Sequence, residues 1–359
     1  MTTSAAAPAT IPVFDGHNDT LLRLYLQKAK PPEEVFGKGE GSGHIDLLKA
    51  RTGGLAGGFF AMFPPPIKST DLSQVTQAPR YDVPLPPILP IEAAQASTIG
   101  MLSIMLRLER AFPDDVAICR SAAEIRAAME ANKIAALMHI EGAEAIDPDF
   151  AMLDVLFAAG LRSIGLVWSR SNIYGHGVPF RFPGSPDVGP GLTDAGKALV
   201  AECNRRGIVI DLSHLNEQGF WDVAASSTAP LVATHSNVHA LCESARNLTD
   251  KQFGAIKESG GVVGLNFAAG FLRPDGSMRA DTDLDIMVRH LDYLVEHLGE
   301  DGVAFGSDFD GAVVPSAIGN AAGLPRLIER LRASGYSEPL LRKIGHENWL
   351  SLLERTQRV

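Results

Sequence analysis

The sequence predicts an α/β fold, a (β/α)8 TIM-like barrel whose functional residues sit at the C-terminal ends of the strands. Short apolar runs rich in Val, Ile and Phe alternate with stretches of helical periodicity, the pattern of βα units around a parallel sheet. Eight such runs occur, at residues 11–15, 54–63, 134–141, 163–169, 208–214, 231–236, 262–267 and 303–308. Several of them end in His, Asp or Glu. A doubly wound open sheet shows the same alternation, but polar residues ending several different runs favour the barrel, whose active sites gather at one face.

Helical periodicity fills most of the gaps, for example at 91–112, 195–206 and 284–298. Prolines interrupt the pattern at 64–90, which reads as a long loop over the barrel mouth or, alternatively, a linker. A second irregular stretch, 175–191, carries Gly and Pro every few residues and follows the fourth run. With 359 residues, 45% hydrophobic, the chain has ample material for one core, and one domain spanning 1–359 is expected.

A formal net charge of −10 argues against nucleic acid, which attracts clustered Lys and Arg, and in favour of a small-molecule substrate. Cys119, Cys203 and Cys242 are odd in number and form no CxxC pair, so buried reduced thiols are expected. Residues 1–10 lack a basic region followed by an apolar one, and no run of roughly 18 apolar residues exists to span a bilayer. The last residues lack the apolar tail of a lipid-anchor signal. Together these predict a cytoplasmic protein with no membrane anchor.

Chemistry concentrates at the ends of the runs. The first leads into Asp15-Gly16-His17-Asn18-Asp19, where His17 and Asp19 point to one side of an extended backbone and form a metal grip. Gly16 is expected to let backbone and ion approach. Alone, this pattern is more often a solvated turn with a capping Asp. The third run ends His139-Ile140-Glu141, and a glutamate after apolar residues is costly to bury unless paired or ligating a metal. Glu141 therefore suits a bridging position between two cations, whereas His139, one layer deeper, reads as a core histidine. The fifth run ends in His214 and the sixth places His235 next to its end, and neighbouring barrel strands bring the two together. The eighth ends in Asp308, a carboxylate placed to carry a proton. Asp310, before Gly311, reads as a turn residue.

Taken together the segments Asp-Gly-His-Asn-Asp, Ile-Glu-Gly, Asp-Leu-Ser-His, Ala-Thr-His-Ser, Ser-Ala-Arg-Asn at 244–247 and Gly-Ser-Asp-Phe-Asp-Gly resemble, in order and over nearly the whole chain, the membrane (renal) dipeptidase family of the metal-dependent amidohydrolase superfamily. The resemblance implies zinc-dependent hydrolysis of dipeptides, tolerant of a D-residue at the C-terminal position, by a homodimer. It implies two Zn2+ per chain bridged by Glu141 and a hydroxide, one held by His17, Asp19 and Glu141, the other by Glu141, His214 and His235. Asp308 matches the proton shuttle and Arg246 the arginine that receives the substrate's carboxylate. An Arg fork independently suits that task.

One departure stands out. Relatives carry a Thr-His-Ser segment whose histidine contacts the substrate carbonyl, where this chain reads Val167-Trp168-Ser169. Trp168 then lies at the substrate, and Asn172 or His176 is a candidate to reach back and replace the missing ring. The departure keeps open other amidohydrolase substrates, namely N-acyl amino acids, lactams or lactones, and a metal-binding protein without turnover.

Overall fold

The computed structural model describes residues 10–68, 75–76 and 78–357. Eight parallel strands form a nearly closed barrel in the order β1 (Val13–Asn18), β2 (Leu55–Met62), β5 (Ile134–Glu141), β6 (Leu161–Gly165), β8 (Val209–Asp211), β9 (Val232–Ala233), β10 (Val262–Asn266) and β11 (Val303–Gly306), with helices between them. The seam between β11 and β1 is closed by Asp308 N–H donating to the His17 carbonyl at 3.0 Å and Asp19 N–H to the Phe309 carbonyl at 2.8 Å. On the same seam the buried Asp15 carboxylate accepts from Ser307 N–H and Oγ at 2.6 and 2.7 Å. Burial pushes the Asp15 carboxyl up to about 7 in spite of those bonds.

Both faces of the sheet are covered, which is why the strands read as nearly continuous apolar runs. In β5 the period of two turns Ala135, Leu137, His139 and Glu141 inward, while Ala136, Met138 and Ile140 pack outward against helices. The lower interior is filled by Phe14, Phe59, Leu137, Val209, Val232, Val262 and Ala304 around Trp349 of the helix Asn348–Thr356. Trp349 is fully buried and donates from Nε1 to the Phe305 carbonyl at 2.9 Å. A Cβ on Gly16 would stand 2.5 Å from both this ring and the Thr234 carbonyl. Gly16 therefore serves the packing of the barrel floor, and the expectation that it makes room for an ion is corrected.

Strands end sooner than the apolar runs do. The runs at 163–169, 208–214 and 231–236 keep their ladders only to Gly165, Asp211 and Ala233. Beyond those points the backbone swings toward the mouth, and His214 (φ +68°) and Asp308 (φ +58°) take left-handed conformations that side chains other than glycine rarely adopt. Three strands outside the barrel order were not anticipated: β3 (Tyr81–Val83), β4 (Val116–Cys119) and β7 (Phe180–Phe182). The expected helices are present as Ile91–Ala111, Asp194–Arg206 and Leu284–Leu298. The second is opened by Thr193, whose Oγ1 accepts from Gly196 N–H, and closed by Gly207 at φ +64°.

In the proline-rich segment, residues 69–74 and 77 lie outside the described residues, as do 1–9 and 358–359 at the termini. Its described part contributes β3, which pairs antiparallel with β7 of the second irregular stretch. The two loops thus meet at the mouth. All three cysteines are buried and unpaired. Among the described residues no helix is long and apolar enough to cross a membrane.

The barrel floor yields a stability prediction. Trp349→Ala removes a large buried ring and its hydrogen bond, and should lower the unfolding free energy by about 3–5 kcal/mol. Urea denaturation followed by circular dichroism measures this, and a loss below about 1 kcal/mol would show that the floor repacks without Trp349.

Candidate metal centre

At the mouth the ends of β1, β5, β8, β9 and β11 converge. His17 reaches the interior through an irregularity in the β1–β2 register between Asp15 and Asn18, where an additional residue on β1 re-aims the chain. Its Nε2 lies 3.4 Å from Asp19 Oδ2 and 3.7 Å from Glu141 Oε1. The same Glu141 oxygen is 3.1 Å from His214 Nε2 and 3.4 Å from His235 Nε2, and those two nitrogens are 3.2 Å apart. One carboxylate oxygen therefore lies against ring nitrogens of His17, His214 and His235, and the His17 and His235 rings stack with centroids 3.8 Å apart.

The imidazoles are oriented from behind. Thr234 Oγ1 donates to Asp211 Oδ2 at 2.6 Å, so at 2.8 Å it accepts from His235 Nδ1, which must then carry the proton. That leaves the His235 Nε2 lone pair facing the centre. His214 Nδ1 is similarly engaged by Ser169 Oγ at 2.9 Å. Asp211 is itself held by the N–H groups of Ser213 and Thr234. Asp308 Oδ2 accepts from Asn266 Nδ2 at 2.9 Å. Gly311 makes room nearby, since a Cβ there would come 2.1 Å from Asp19 Oδ2 and 2.5 Å from Asp308 Oδ1.

Electrostatics follow from burying this much charge. Burial, together with Asp19 and Asp308, raises the Glu141 carboxyl well above the carboxylate range, although His17 opposes the shift. Burial disfavours the charged ring of His17, but Glu141, Asp19 and Asp308 outweigh it and hold its pKa at about 10. Burial, then the nearby cations Arg246 and His17, pushes His214 and His235 well below the usual value, so both rings are neutral, the form that ligates metals. The carboxylates demand positive charge that two of the three rings do not provide.

The residues fit a metal site on two further counts. Among the described residues the buried His17 Nε2, which faces Asp19 and Glu141, and Asp19 Oδ1 have no hydrogen-bond partner, a costly arrangement that coordination explains. Donor atoms of His17, Glu141 and His235, and likewise of His17, Asp19 and Asp308, lie within 4.8 Å of one another. His139 sits one layer deeper, its Nδ1 2.9 Å from Ser163 Oγ, and burial lowers its pKa to about 3. Its Nε2 is 3.7 Å from Asp211 Oδ2.

Arg246 is buried beside the centre. It donates from Nη1 to Ser236 Oγ and from Nη2 to the His235 carbonyl, both at 3.1 Å, and its Nε has no partner among the described residues. Burial lowers its pKa to about 10, which leaves it charged at neutral pH. The cavity above the centre is lined by Asp19, Glu141, His214 and Asp308 on one side and by Phe63, Trp168, Phe180 and Phe271 on another. Trp168 thus lies at the site. His176 does not: it contacts Ser171 Oγ at 3.0 Å and lines a separate cavity with Asp82 and Arg181. Asn172 is turned into the fold, donating to the Leu166 carbonyl and accepting from Tyr174 N–H. Neither replaces the missing ring, because the loop carrying both is committed to its own turn. Asp310 is the expected turn residue, at φ +68°, with Oδ1 accepting from His44 N–H at 2.6 Å.

Sequence reasoning missed Asp211, Thr234, Ser169 and Asn266. The first two lay inside recognised motifs, and their polarity within apolar strands was the available signal.

Comparison with known proteins agrees with this geometry. The family model described as membrane dipeptidase (peptidase family M19) matches residues 3–359. An uncharacterized Klebsiella pneumoniae protein from the pqqA 5′ region is 53% identical over 237 residues, covering 66% of this chain and 88% of that protein. The crystal structure of a metallo peptidase from Rhodobacter sphaeroides, liganded with a phosphinate mimic of the dipeptide L-Ala-D-Ala, is 53% identical and superposes with a TM-score of 0.95 over 97% of this chain and 100% of that one. A probable dipeptidase from Pseudomonas aeruginosa, 25% identical, gives 0.81 over 97% and 96%. A barrel mouth with grouped metal donors and a family match over all but the first two residues lead to one conclusion: the chain belongs to the membrane dipeptidase family, peptidase family M19.

Proposed function

We propose that this metallo-dipeptidase cleaves dipeptides with two zinc ions per chain, one held by His17, Asp19 and Glu141 and the other by Glu141, His214 and His235. The observation that carries this reading is the single Glu141 oxygen within 3.1–3.7 Å of three imidazole nitrogens from three different strands. Nitrogen and oxygen donors in such groups suit zinc. The dipeptide is supported by the L-Ala-D-Ala mimic bound to the Rhodobacter relative, which also supports acceptance of a D-residue at the C-terminal position. Three buried unpaired thiols support the reducing, cytoplasmic setting, and the homodimer belongs to the same reading.

When bound, the metal pair supplies Lewis acidity and a water acidified toward neutrality. The chain's own residues do the rest. Arg246 receives the substrate's free carboxylate, which places the peptide bond one residue away over Glu141. Asp308, steadied by Asn266, takes a proton from the attacking water and returns it to the leaving amine. Trp168, Phe63 and Phe180 exclude bulk water from one side of the cavity.

Three tests address separate parts of this reading. Glu141→Ala should lose both ions, whereas His17→Ala retains the His214–His235 donors; metal analysis of the purified variants checks this, and loss of a single ion from Glu141→Ala would remove the bridging role. Asp308→Asn should keep its zinc and fold while kcat falls far more than KM changes, and a near wild-type kcat would return Asp308 to structure. Arg246→Ala should lower kcat/KM about ten- to a hundredfold, from a charge-assisted bond worth about 1.5–3 kcal/mol. C-terminal amidation of the substrate should cost the wild type as much, and the two losses should not add. Equal cleavage of amide and free acid would move the reading to other acyl substrates.

A further inference from the structure

Arg170 and Glu144 form an ion pair sealed from solvent, with side chains 0% and 1% exposed, that the reaction does not use. Arg170 Nε donates to Glu144 Oε1 at 2.9 Å and Nη2 to the Pro64 carbonyl at 3.0 Å. One guanidinium thereby ties together the segments that follow β2, β5 and β6. Among the described residues Arg170 Nη1 and Glu144 Oε2 have no hydrogen-bond partner, so the pair is only partly satisfied, and a buried pair is weak evidence for stability. Its placement is more telling. The guanidinium carbon lies 5.6 Å from the Phe63 ring and 5.7 Å from the Trp168 ring, the two aromatic residues at one end of the cavity.

That end can be located relative to Arg246. Rings in pairwise contact link Arg246 to Phe271 (5.7 Å), Phe271 to Phe180 (6.0 Å), Phe180 to Trp168 (5.5 Å) and Trp168 to Phe63 (4.9 Å). The dipeptidase reading puts the substrate's carboxylate at Arg246 and its N-terminal residue across the metal donors, and Phe63 and Trp168 line the cavity there, with Trp168 5.8 Å from the His214 ring. The cavity encloses about 110 Å³, well below the roughly 300–1,000 Å³ of ordinary ligand pockets. We propose that the buried Arg170–Glu144 pair is a positioning element that fixes the Phe63–Trp168 wall and so restricts the N-terminal residue of the substrate to a small side chain. The proposal rests on the dipeptidase reading for its substrate and on the wall's geometry for its mechanism.

The test compares four proteins, the wild type, Trp168→Ala, Trp168→Phe and the double variant Glu144→Gln/Arg170→Met. Both charges are removed together because one alone would be stranded in the core. Each is assayed on dipeptides with C-terminal Ala and N-terminal Gly, Ala, Leu or Phe, with metal content measured alongside. The wild type should prefer Gly and Ala over Leu and Phe by tenfold or more in kcat/KM. Trp168→Ala should shrink that ratio at least fivefold. The double variant should shrink it as well, through KM, while its kcat on Ala-Ala stays within about threefold and its metal content is unchanged. Acrylamide quenching of tryptophan emission gives a readout independent of turnover: the component lost in Trp168→Phe should become more accessible in the double variant. If the double variant keeps its metal, its selectivity and its quenching, the pair is merely structural and the proposal falls. A wild type that cleaves no dipeptide overturns the dipeptidase reading and the size restriction with it, and the quenching result then decides the positioning claim alone.

Discussion

The structure turns on one carboxylate. Glu141 ends a strand that is buried along its whole length, and a charge in that position is tolerated only when the surroundings answer it. Asp19 and Asp308 make the demand greater, since like charges in a shared desolvated space raise one another's proton affinity. Three histidines from three strands and one arginine are gathered around these acids. The barrel is the means of gathering them, because parallel strands all deliver their C-terminal ends to one mouth.

Gathering alone does not create a metal site; the rings must also present the correct nitrogen. The Asp211–Thr234–His235 chain fixes a proton on Nδ1 and turns Nε2 inward, and Ser169 engages Nδ1 of His214. The backbone contributes too. His214 and Asp308 occupy left-handed conformations at the points where ladders stop, which turns their side chains toward the centre. Strain of this kind persists where the surrounding packing over-determines it, and both residues are hydrogen-bonded into buried neighbours.

The substrate side of the mouth is built on different principles. Arg246, buried yet charged, stands beside the centre, held by Ser236 and a backbone carbonyl. The cavity wall is largely aromatic, and the paired strands β3 and β7 bring Phe180 into it. Loops of this kind normally carry mobility. Here a buried ion pair and a two-stranded sheet anchor the segments around the cavity, so the width of the opening depends on packing as well as on chain length.

The sequence by itself determined the barrel and the donors, because both follow from local rules. Apolar runs with a period of two mark strands, and a polar residue at the end of such a run faces the mouth whichever strands adjoin it. His17, Asp19, Glu141, His214, His235 and Asp308 were legible for that reason and through the order of their motifs, whereas Arg246 was legible only through the resemblance of the 244–247 segment. Three matters were decided only by the tertiary structure. Gly16 proved to serve the Trp349 floor, because the close approach that requires it comes from residues more than 200 positions away in the chain. His176 went to a separate cavity, because the direction of a loop side chain depends on what the loop packs against and not on its own residues. The polarity of Asp211 and Thr234 was visible, but their partners and those of Ser169 and Asn266 were not, since a hydrogen-bond chain between strands exists only once the register between them is set.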